Sequence, residues 1–367
     1  MPVKNLKIAH FRNIIDADLE FSKQFNVIFG ENGAGKTSLL EALYYLGFNR
    51  SFRTNSISQI IRSSNKKFFL FAESFEEQGD GFSHKIGLEK DQNGNKTLRI
   101  NATDVSSFAE AAKILPLQFI STDSHRLFHD GPKERRQAMD WATFHVEHTF
   151  LLAWQKLQRA LKHRNALLRS EDSLAGLRKL LAPWDAEFSS NAGKVHHCRK
   201  NYLAALKPLL NQLIQKFLPQ VVEGFSIEYI PGWNTDEDIL NTLEKNLFRD
   251  KQIGYTQLGP QRADIQFHFE GNPLEDHFSQ GQQKLTAYAF QLAQGLLVRE
   301  FTQKMPIYLI DDLSSELDAH NRQLVLRALI DIEAQCFITE ISPSDGLKIL
   351  PENTKMFHVK QGVVSIG

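Results

Sequence analysis

The alternation of apolar and polar residues divides the chain into three stretches. The first hundred residues contain short segments of alternating hydrophobicity, such as NLKIAHF, DADLEF, KFFLFAESF, SHKIGLEKD and KTLRI. This period-two pattern is typical of antiparallel strands. The dipeptide Asn93-Gly94 lies between the last two segments and predicts a hairpin turn. After residue 254, strand patterns return in ADIQFHF, in an apolar segment at 306–310 and in QCFIT.

Between residues 117 and 253, apolar residues recur at helical spacing instead. HTFLLAWQKLQRALKHRNALLR and KVHHCRKNYLAALKPLLNQLIQKFL predict two long amphipathic helices. We therefore predict an α/β fold in which residues 1–116 and 254–367 form a discontinuous domain with an antiparallel β subdomain, and 117–253 form an inserted, mostly helical lobe that binds DNA or a partner. Prolines are expected to interrupt helices in this lobe, at Pro132, Pro183, Pro208, Pro219 and Pro231.

Length and composition limit the class of protein. With 367 residues and 42% apolar content, the chain is long enough for two or three domains with a substantial core. Cys198 and Cys336 are far apart in sequence, which argues against a disulfide framework and favours a reducing compartment. No uncharged apolar run approaches the ~20 residues that span a bilayer, so we expect a cytoplasmic protein. The formal net charge is zero, so any contact with nucleic acid must come from a local basic patch.

The segment QFNVIFGENGAGKTSLLEALYYL carries the first candidate chemistry. Gly30, four residues, and then Gly35-Lys36-Thr37 match the phosphate-loop pattern, with an apolar strand before it and an amphipathic helix after it. Backbone N–H groups and the positive end of the helix would bind polyphosphate, Lys36 would reach the outer phosphates, and the Thr37 hydroxyl would bind Mg²⁺. The predicted nucleotide-binding loop consists of Gly30, Glu31, Asn32, Gly33, Ala34, Gly35, Lys36, Thr37 and Ser38.

A pair of acids follows a second apolar strand in PIYLIDDLSSELD. The strand Ile307–Ile310 would place Asp311 and Asp312 at its carboxyl end, where open α/β sheets bind ligands. Asp311 fits the carboxylate that faces Mg²⁺, and Asp312 stands where a second carboxylate can orient the attacking water. Lys36, Asp311 and Asp312 are therefore the predicted catalytic residues.

The segment FSQGQQKL has two interpretations. Ser279 followed by Gln282 is a capping box that opens a helix, and taken alone this motif needs no further function. The order of phosphate loop, S-x-G-Q segment and apolar strand with paired acids resembles the ABC-type ATPase head. That resemblance implies that Ser279, Gly281 and Gln282 bind the γ-phosphate of ATP held by a second subunit, and hence an ATP-dependent homodimer.

Further sequence segments indicate which ABC-type family the chain resembles. IAHFRNI, HDGPKERRQAMDW and GPQRAD, together with the segments above, are similar to the bacterial RecF family of SMC-like heads, from residue 3 to the end of the chain. The resemblance implies a DNA-binding protein of recombinational repair and replication restart that uses ATP and Mg²⁺. It also implies binding to single- and double-stranded DNA without sequence preference and involvement in the SOS response. The implied partners are RecR and, indirectly, RecO and RecA during the loading of RecA at gaps. In related heads the segment at Arg12 and Asn13 contacts nucleotide, and Gln118 is the candidate that links Mg²⁺ to the inserted lobe.

The chain departs from the ABC pattern at three places. Phe278 and Gln280 replace the Leu and the first Gly of L-S-G-G-Q, and Asp312 replaces the usual Glu. No His follows CFIT, where Thr339 or Glu340 falls near the switch position. Because the shorter Asp312 should place the water less well, these departures suggest a weak, DNA-stimulated ATPase that serves as a slow switch.

Two basic clusters are candidates for DNA contact, although a solvated face paired with acids elsewhere explains them equally well. One lies on the helix around residues 153–169 and the other near residue 133. Their members are Lys156, Arg159, Lys162, Arg164 and Arg169, and Lys133, Arg135 and Arg136.

Competing functions are less consistent with the sequence. A transporter ATPase would carry a much shorter inserted lobe. An SMC-like structural protein would need long heptad arms, and a metabolic kinase would not require Ser279. The histidine pairs resemble metal ligands but lack the paired Cys or H-E-x-x-H arrangement, so we expect them to pack in the core. These pairs are His125 with His129, His145 with His148, and His196 with His197 beside Cys198.

Overall fold

The computed structural model describes residues 2–75, 83–121, 123–342 and 345–367. In these parts of the chain, no helix combines the length and apolarity needed to cross a bilayer. The strands are β1 (Val3–Phe11), β2 (Ile14–Glu20), β3 (Phe25–Phe29), β4 (Lys67–Ser74), β5 (Lys85–Asp91), β6 (Lys96–Ile100), β7 (Thr103–Asp104), β8 (Leu117–Ile120), β9 (Phe225–Ile230), β10 (Asp264–Phe269), β11 (Asn272–Pro273), β12 (Ile307–Ile310), β13 (Cys336–Glu340), β14 (Lys355–Lys360) and β15 (Val363–Ile366). The α-helices are α1 (Lys36–Phe48), α2 (Phe108–Ile114), α3 (Arg126–His129), α4 (Pro132–Val146), α5 (Phe150–Leu168), α6 (Leu174–Phe217), α7 (Ile239–Lys245), α8 (Leu247–Ile253), α9 (Gln280–Thr302), α10 (Leu313–Glu316) and α11 (Ala319–Asp331).

A mostly parallel sheet contains both the phosphate-loop strand and the strand that precedes Asp311 and Asp312. Its strand order is β15-β14-β3-β13-β12-β8, and all neighbours are parallel except β15 with β14. Strands β12 and β13 are buried at every position, as expected for parallel strands covered on both faces. The phosphate-loop strand β3 lies between β14 and β13, so the carboxyl ends of β3, β13 and β12 lie side by side.

The antiparallel strands predicted near the amino terminus form a second sheet, in the order β2-β1-β4-β5-β6-β7. Along β4, Phe68, Leu70 and Ala72 are buried while their neighbours are more exposed, which is the predicted alternation. The Asn93-Gly94 hairpin is confirmed, because β5 pairs with β6 and Gly94 has a left-handed φ of 86°. One hydrophobic cluster contains the inner residues of this sheet, of α1 and of the parallel sheet.

Two compact units divide the chain, at boundaries that differ from those predicted. The first comprises residues 1–124, 284–291 and 298–367, and the second comprises 125–283 and 292–297. Segment 117–120, expected in the inserted lobe, is β8 and pairs with β12 in the parallel sheet. Segment 254–283, expected in the head, belongs to the second unit because β10 pairs with β9. Both boundaries depend on long-range strand pairing. Helical periodicity in the sequence carries no information about which strands pair.

The second unit is built around α5 and α6, which pack along each other. Helix α6 has 44 residues, or about 66 Å at 1.5 Å per residue. It continues through Pro183 and Pro208, so the prediction that these prolines end helices was wrong. Both prolines lie on the exposed side, while a row of apolar residues from Leu177 to Phe217 is buried. Burial of that row compensates for the two missing N–H donors.

Candidate nucleotide-binding site

The phosphate loop is a tight turn that requires glycine at two positions. Gly30 follows β3 with a φ of 154°, and a Cβ there would lie 2.2 Å from the carbonyl oxygen of Val359. Gly35 precedes α1 with a φ of 119°, and a Cβ there would lie 2.7 Å from the Asn13 amide. Because both approaches involve left-handed backbone conformations, a side chain would displace the loop. The loop therefore presents its backbone closely to whatever it binds.

Most of the nine predicted loop residues line a cavity of about 910 Å³ in the first unit. Lys36 donates from Nζ to the carbonyl oxygens of Gly30 at 2.7 Å and Glu31 at 3.0 Å, so its ammonium lies against the loop. Ala34 is buried, and its carbonyl accepts from Asn13 Nδ2 at 2.9 Å, so this residue supports the loop from beneath. Six predicted residues line the cavity: Asn32, Gly33, Gly35, Lys36, Thr37 and Ser38.

The paired acids meet the phosphate loop at the carboxyl ends of the parallel strands. Thr37 Oγ1 lies 3.2 Å from both carboxylate oxygens of Asp311, although the two residues are 274 positions apart. Thr339, at the end of β13, donates to Asp311 Oδ1 at 2.6 Å and accepts from the backbone N–H of Asp312 at 2.7 Å. All four of these residues line the cavity. Thr339, which the sequence placed near the switch position, therefore holds the two acids in register.

Asp312 occupies an unusual backbone conformation. Its φ of 55° is left-handed, which a non-glycine residue adopts at a cost of about 1 kcal/mol or more. Its buried Oδ1 has no hydrogen-bond partner among the described residues. Because buried acceptors normally have a partner, Asp312 Oδ1 is well placed to accept a hydrogen bond from a ligand or a water.

The oxygens of Thr37 and Asp311 fit a magnesium ion. Adjacent ligands of octahedral Mg²⁺, with bonds of about 2.0–2.1 Å, are roughly 2.9 Å apart, close to the 3.2 Å separation here. Gln118 does not fit as well. It is buried on β8 in register with Tyr308, three residues before Asp311, and is not among the residues that line the cavity. Its predicted role at the metal is not supported by this arrangement.

The hairpin between β1 and β2 contributes a basic wall to the same cavity. Arg12 and Asn13, predicted from the resemblance, both line it. The Arg12 guanidinium, however, forms a fork with the buried carboxylate of Glu41, at 2.9 and 2.6 Å. Sequence reasoning missed Glu41, because an acid within an amphipathic helix usually faces solvent. The rest of this wall, also missed, consists of Arg53, Ser58, Gln59, Ile61, Arg62 and Ser63.

The S-x-G-Q segment belongs to the second unit. Ser279 donates to and accepts from Gln282, which confirms the capping box at the start of α9. Ser279 and Gly281 are exposed, and neither lines the cavity of the first unit. Nearby, His129 hydrogen-bonds Gln283 at 2.8 Å. Within the described residues, no group of three or more His, Cys, Asp or Glu side chains could hold a metal ion.

A buried acid lies next to Thr339. Glu340 is 1% exposed and accepts a hydrogen bond from the Ser314 hydroxyl. Burial raises the pKa of the Glu340 carboxyl, while the Ser314 hydrogen bond and Arg322 act in the opposite direction. The strand end that follows the switch position therefore carries a carboxyl that ionises less readily than usual.

Several predicted DNA contacts are structural residues instead. Arg164 is fully buried and donates to Asp185, Asp250 and Thr256. Arg135 is mostly buried and forms a two-pronged ion pair with Asp264. Neither guanidinium is available to a phosphate, so their assignment to DNA was wrong. A sequence cannot show which basic residue of a helix faces a partner helix.

The exposed cations lie elsewhere in the second unit. Lys156 and Lys162 on α5 are exposed, whereas Arg159 is paired with Glu187 at 2.7 Å. The sequence predicted the helix at 194–218 but not its basic surface: within α6, segment 188–217 contains no Asp or Glu. The absence of acidic residues over about eight helical turns can be seen in the sequence and could have identified this basic surface. This segment presents three exposed lysines that form no ion pair in the described residues, namely Lys194, Lys200 and Lys207.

Comparison with known proteins agrees with this geometry. The family described as "RecF/RecN/SMC N terminal domain" matches residues 2–365. The DNA replication and repair protein RecF of Coxiella burnetii (strain CbuG_Q212) is 43% identical over 363 residues, covering 99% of both chains. The protein of the same name from Shewanella denitrificans is 40% identical over 369 residues, covering 100% of this chain and 99% of the relative.

Solved structures are also similar to this chain along its whole length. The structure described as the recombination mediator protein RecF-ATP in the RecFOR pathway superposes with a TM-score of 0.87 at 26% identity, covering 100% of this chain and 97% of the other. An Smc head bound to the C-winged helix domain of ScpA has a TM-score of 0.60 at 17% identity, which shows a shared fold. From its length-wide similarity to the curated relatives, the chain belongs to the RecF family of DNA replication and repair proteins.

Proposed function

We propose that the chain binds ATP at the cavity of the first unit and hydrolyses it slowly. The observation that carries this proposal is the convergence of Lys36, Thr37, Asp311 and Asp312 on that one cavity. A related structure is described as RecF-ATP, which supports the identity of the nucleotide. When bound, Mg²⁺ would be held by Thr37 and Asp311 and would neutralise phosphate charge.

The chain's own residues account for the remaining steps. Lys36 exchanges its two carbonyl contacts for phosphate oxygens, since its ammonium already lies against the loop. Asp312 accepts a hydrogen bond from the attacking water at its unpartnered Oδ1 and so orients that water. Thr339 keeps Asp311 and Asp312 in register during this step. The short Asp312 side chain gives slow turnover, as a switch requires.

We further propose that ATP joins two copies of the chain. The exposed start of α9 offers the backbone N–H of Gly281 to the γ-phosphate bound by the partner's loop, and the Ser279 hydroxyl would exchange its contact with Gln282 for the same phosphate. Sedimentation with a slowly hydrolysed ATP analogue and Mg²⁺ tests this step. Wild-type protein should dimerise, while Lys36→Ala and Ser279→Arg should stay monomeric. Ser279→Arg should still bind nucleotide as a monomer. A wild-type protein that remains one copy in mass contradicts the dimer.

The dimer is proposed to clamp DNA at gaps and to help RecO and RecR load RecA during recombinational repair, replication restart and the SOS response. The second unit provides the DNA-binding lobe. The acid-free segment 188–217 of α6 carries the exposed residues Lys194, Lys200 and Lys207, and Lys156 and Lys162 on α5 add to the positive charge. Lysine contacts to phosphates carry no base readout, so binding should be sequence-independent.

Salt dependence tests the DNA face directly. A plot of log affinity against log salt concentration has a negative slope, and each lost phosphate contact makes that slope shallower by about 0.9. Combined substitution of Lys194, Lys200 and Lys207 by Ala should therefore reduce the magnitude of the slope by about 2.7 for each copy of the chain whose lysines contact the DNA. The matched control replaces three exposed lysines of the first unit, Lys4, Lys66 and Lys113, with the same change in net charge. Equal slopes for the two triple variants would place the DNA elsewhere.

A further inference from the structure

A buried carboxylate lies behind the basic wall of the cavity. Glu41 is on α1, five positions after Lys36, and its side chain is fully buried. Arg12 donates to both of its oxygens, from Nε at 2.9 Å and from Nη2 at 2.6 Å. The Ser51 hydroxyl also donates to Oε1. Glu41 therefore contacts two separate chain segments besides its own helix.

Both segments carry arginines that line the cavity. Arg12 lies in the β1–β2 hairpin with a left-handed φ of 54° and donates from Nη1 to the Gln59 carbonyl oxygen at 2.7 Å. Ser51 accepts from the backbone N–H groups of Arg53 and Thr54, at 2.8 and 3.0 Å, and thereby holds the turn that presents Arg53. The Arg53 guanidinium itself is half exposed and 3.9 Å from Glu41. One carboxylate thus fixes the placement of two cationic groups of the wall.

We infer that Glu41 is a positioning residue for nucleotide binding, which holds Arg12 and the Arg53 turn in the orientation that meets the ligand. This inference rests on the proposed ATP site. Burying an ion pair seldom stabilises a fold more than apolar packing at the same place would. A charged pair at this position is therefore better explained by the orientation that it imposes. The planar fork of Arg12 matches both carboxylate oxygens, which an ammonium group could not do.

The test measures ATP affinity by titration calorimetry for four variants of the full-length protein and one control variant. Glu41→Gln removes the charge with little change of shape, and Arg12→Ala removes the group that it positions. The double variant combines them. Arg12→Lys keeps the positive charge but cannot form the two parallel hydrogen bonds to Glu41. Glu89→Gln is the matched control, since Glu89 pairs with Lys67 on the exposed surface of the same unit. Thermal melts establish that each variant is folded.

If Glu41 acts through Arg12, Glu41→Gln should weaken ATP binding by about tenfold, the worth of one charge-assisted hydrogen bond. The double variant should then bind ATP within about twofold of Arg12→Ala, because the two residues form one unit. Arg12→Lys should lose as much affinity as Arg12→Ala, and this comparison stands even where Glu41→Gln fails to fold. Glu89→Gln should bind as wild type does.

Other results overturn the inference in distinct ways. A folded Glu41→Gln with wild-type ATP affinity shows that the pair is merely structural. Independent, additive losses in the double variant show that Glu41 does not act through Arg12, and wild-type affinity in Arg12→Lys shows that charge alone suffices. A wild-type protein that binds no ATP contradicts the proposed function itself.

Discussion

The buried guanidinium of Arg164 joins three parts of the second unit and should be central to its stability. It donates to Asp185 on α6 at 2.8 Å, to Asp250 on α8 at 2.8 Å, and to Thr256 at 2.6 Å. Arg164→Met replaces it with an apolar side chain of similar length and leaves two carboxylates without their cation. Removing one partner of a buried ion pair typically costs about 3–5 kcal/mol. Urea unfolding should show a loss of that size.

The loss should also depend on pH. Burial raises the pKa of Asp185, and Arg164 counteracts that rise. Without Arg164 the folded-state pKa of this carboxyl rises further above its unfolded value. A group with a raised folded-state pKa contributes stability at low pH and loses it as pH rises through that pKa. The destabilisation of Arg164→Met should therefore be larger at pH 8 than at pH 5.

The control is Arg159→Met on the same helix. Its side chain is 61% exposed and paired with Glu187, so about 1 kcal/mol or less should be lost. Under conditions where both variants are folded, Arg164→Met should bind DNA as wild type does, because its guanidinium cannot reach a phosphate. Three results would refute this reasoning: a loss no larger than that of the control, a loss that grows towards pH 5, or DNA binding abolished in the folded variant.

Three further predictions concern the nucleotide site. Asp312→Asn should bind ATP and dimerise but hydrolyse ATP at least about a hundredfold more slowly in a phosphate-release assay, because a neutral amide accepts the hydrogen bond of the attacking water less strongly than a carboxylate and cannot take its proton; near-normal turnover would assign the orientation of the water to another residue. Gly30→Ala should lose ATP binding and about 2 kcal/mol or more of stability in a denaturant titration, since its Cβ would meet the backbone of Val359; wild-type affinity would show that the turn tolerates a side chain. Glu340→Gln cannot ionise, so its Tm should rise relative to wild type as pH increases from 5 to 8, because burial raises the Glu340 pKa; a Tm difference that does not change with pH would mean that Glu340 stays in one protonation state.

The local chemistry of the nucleotide site was predictable from short segments. A glycine turn between an apolar strand and a helix has few physical solutions, so the loop from Gly30 to Ser38 was identified with its elements. The apolar run before Asp311 likewise indicated a buried strand that ends in acids. Cavity lining and hydrogen bonds then placed Thr37, Asp311 and Thr339 together. The ABC-like order of the motifs had suggested their proximity, but not these contacts.

What the sequence by itself determined is the set of elements whose signal is local: the phosphate loop, the acid-bearing strand, the Asn93-Gly94 hairpin and the capping box at Ser279. Only the tertiary structure decided which charged residues are buried. Arg164 and Glu41 lie on amphipathic helices whose periodicity does not identify the neighbouring segment, and their partners are 21 to 92 positions away for Arg164 and 10 to 29 for Glu41. Only long-range packing removes a charge from water, so only the folded chain shows which charges are structural and which remain exposed to bind a ligand.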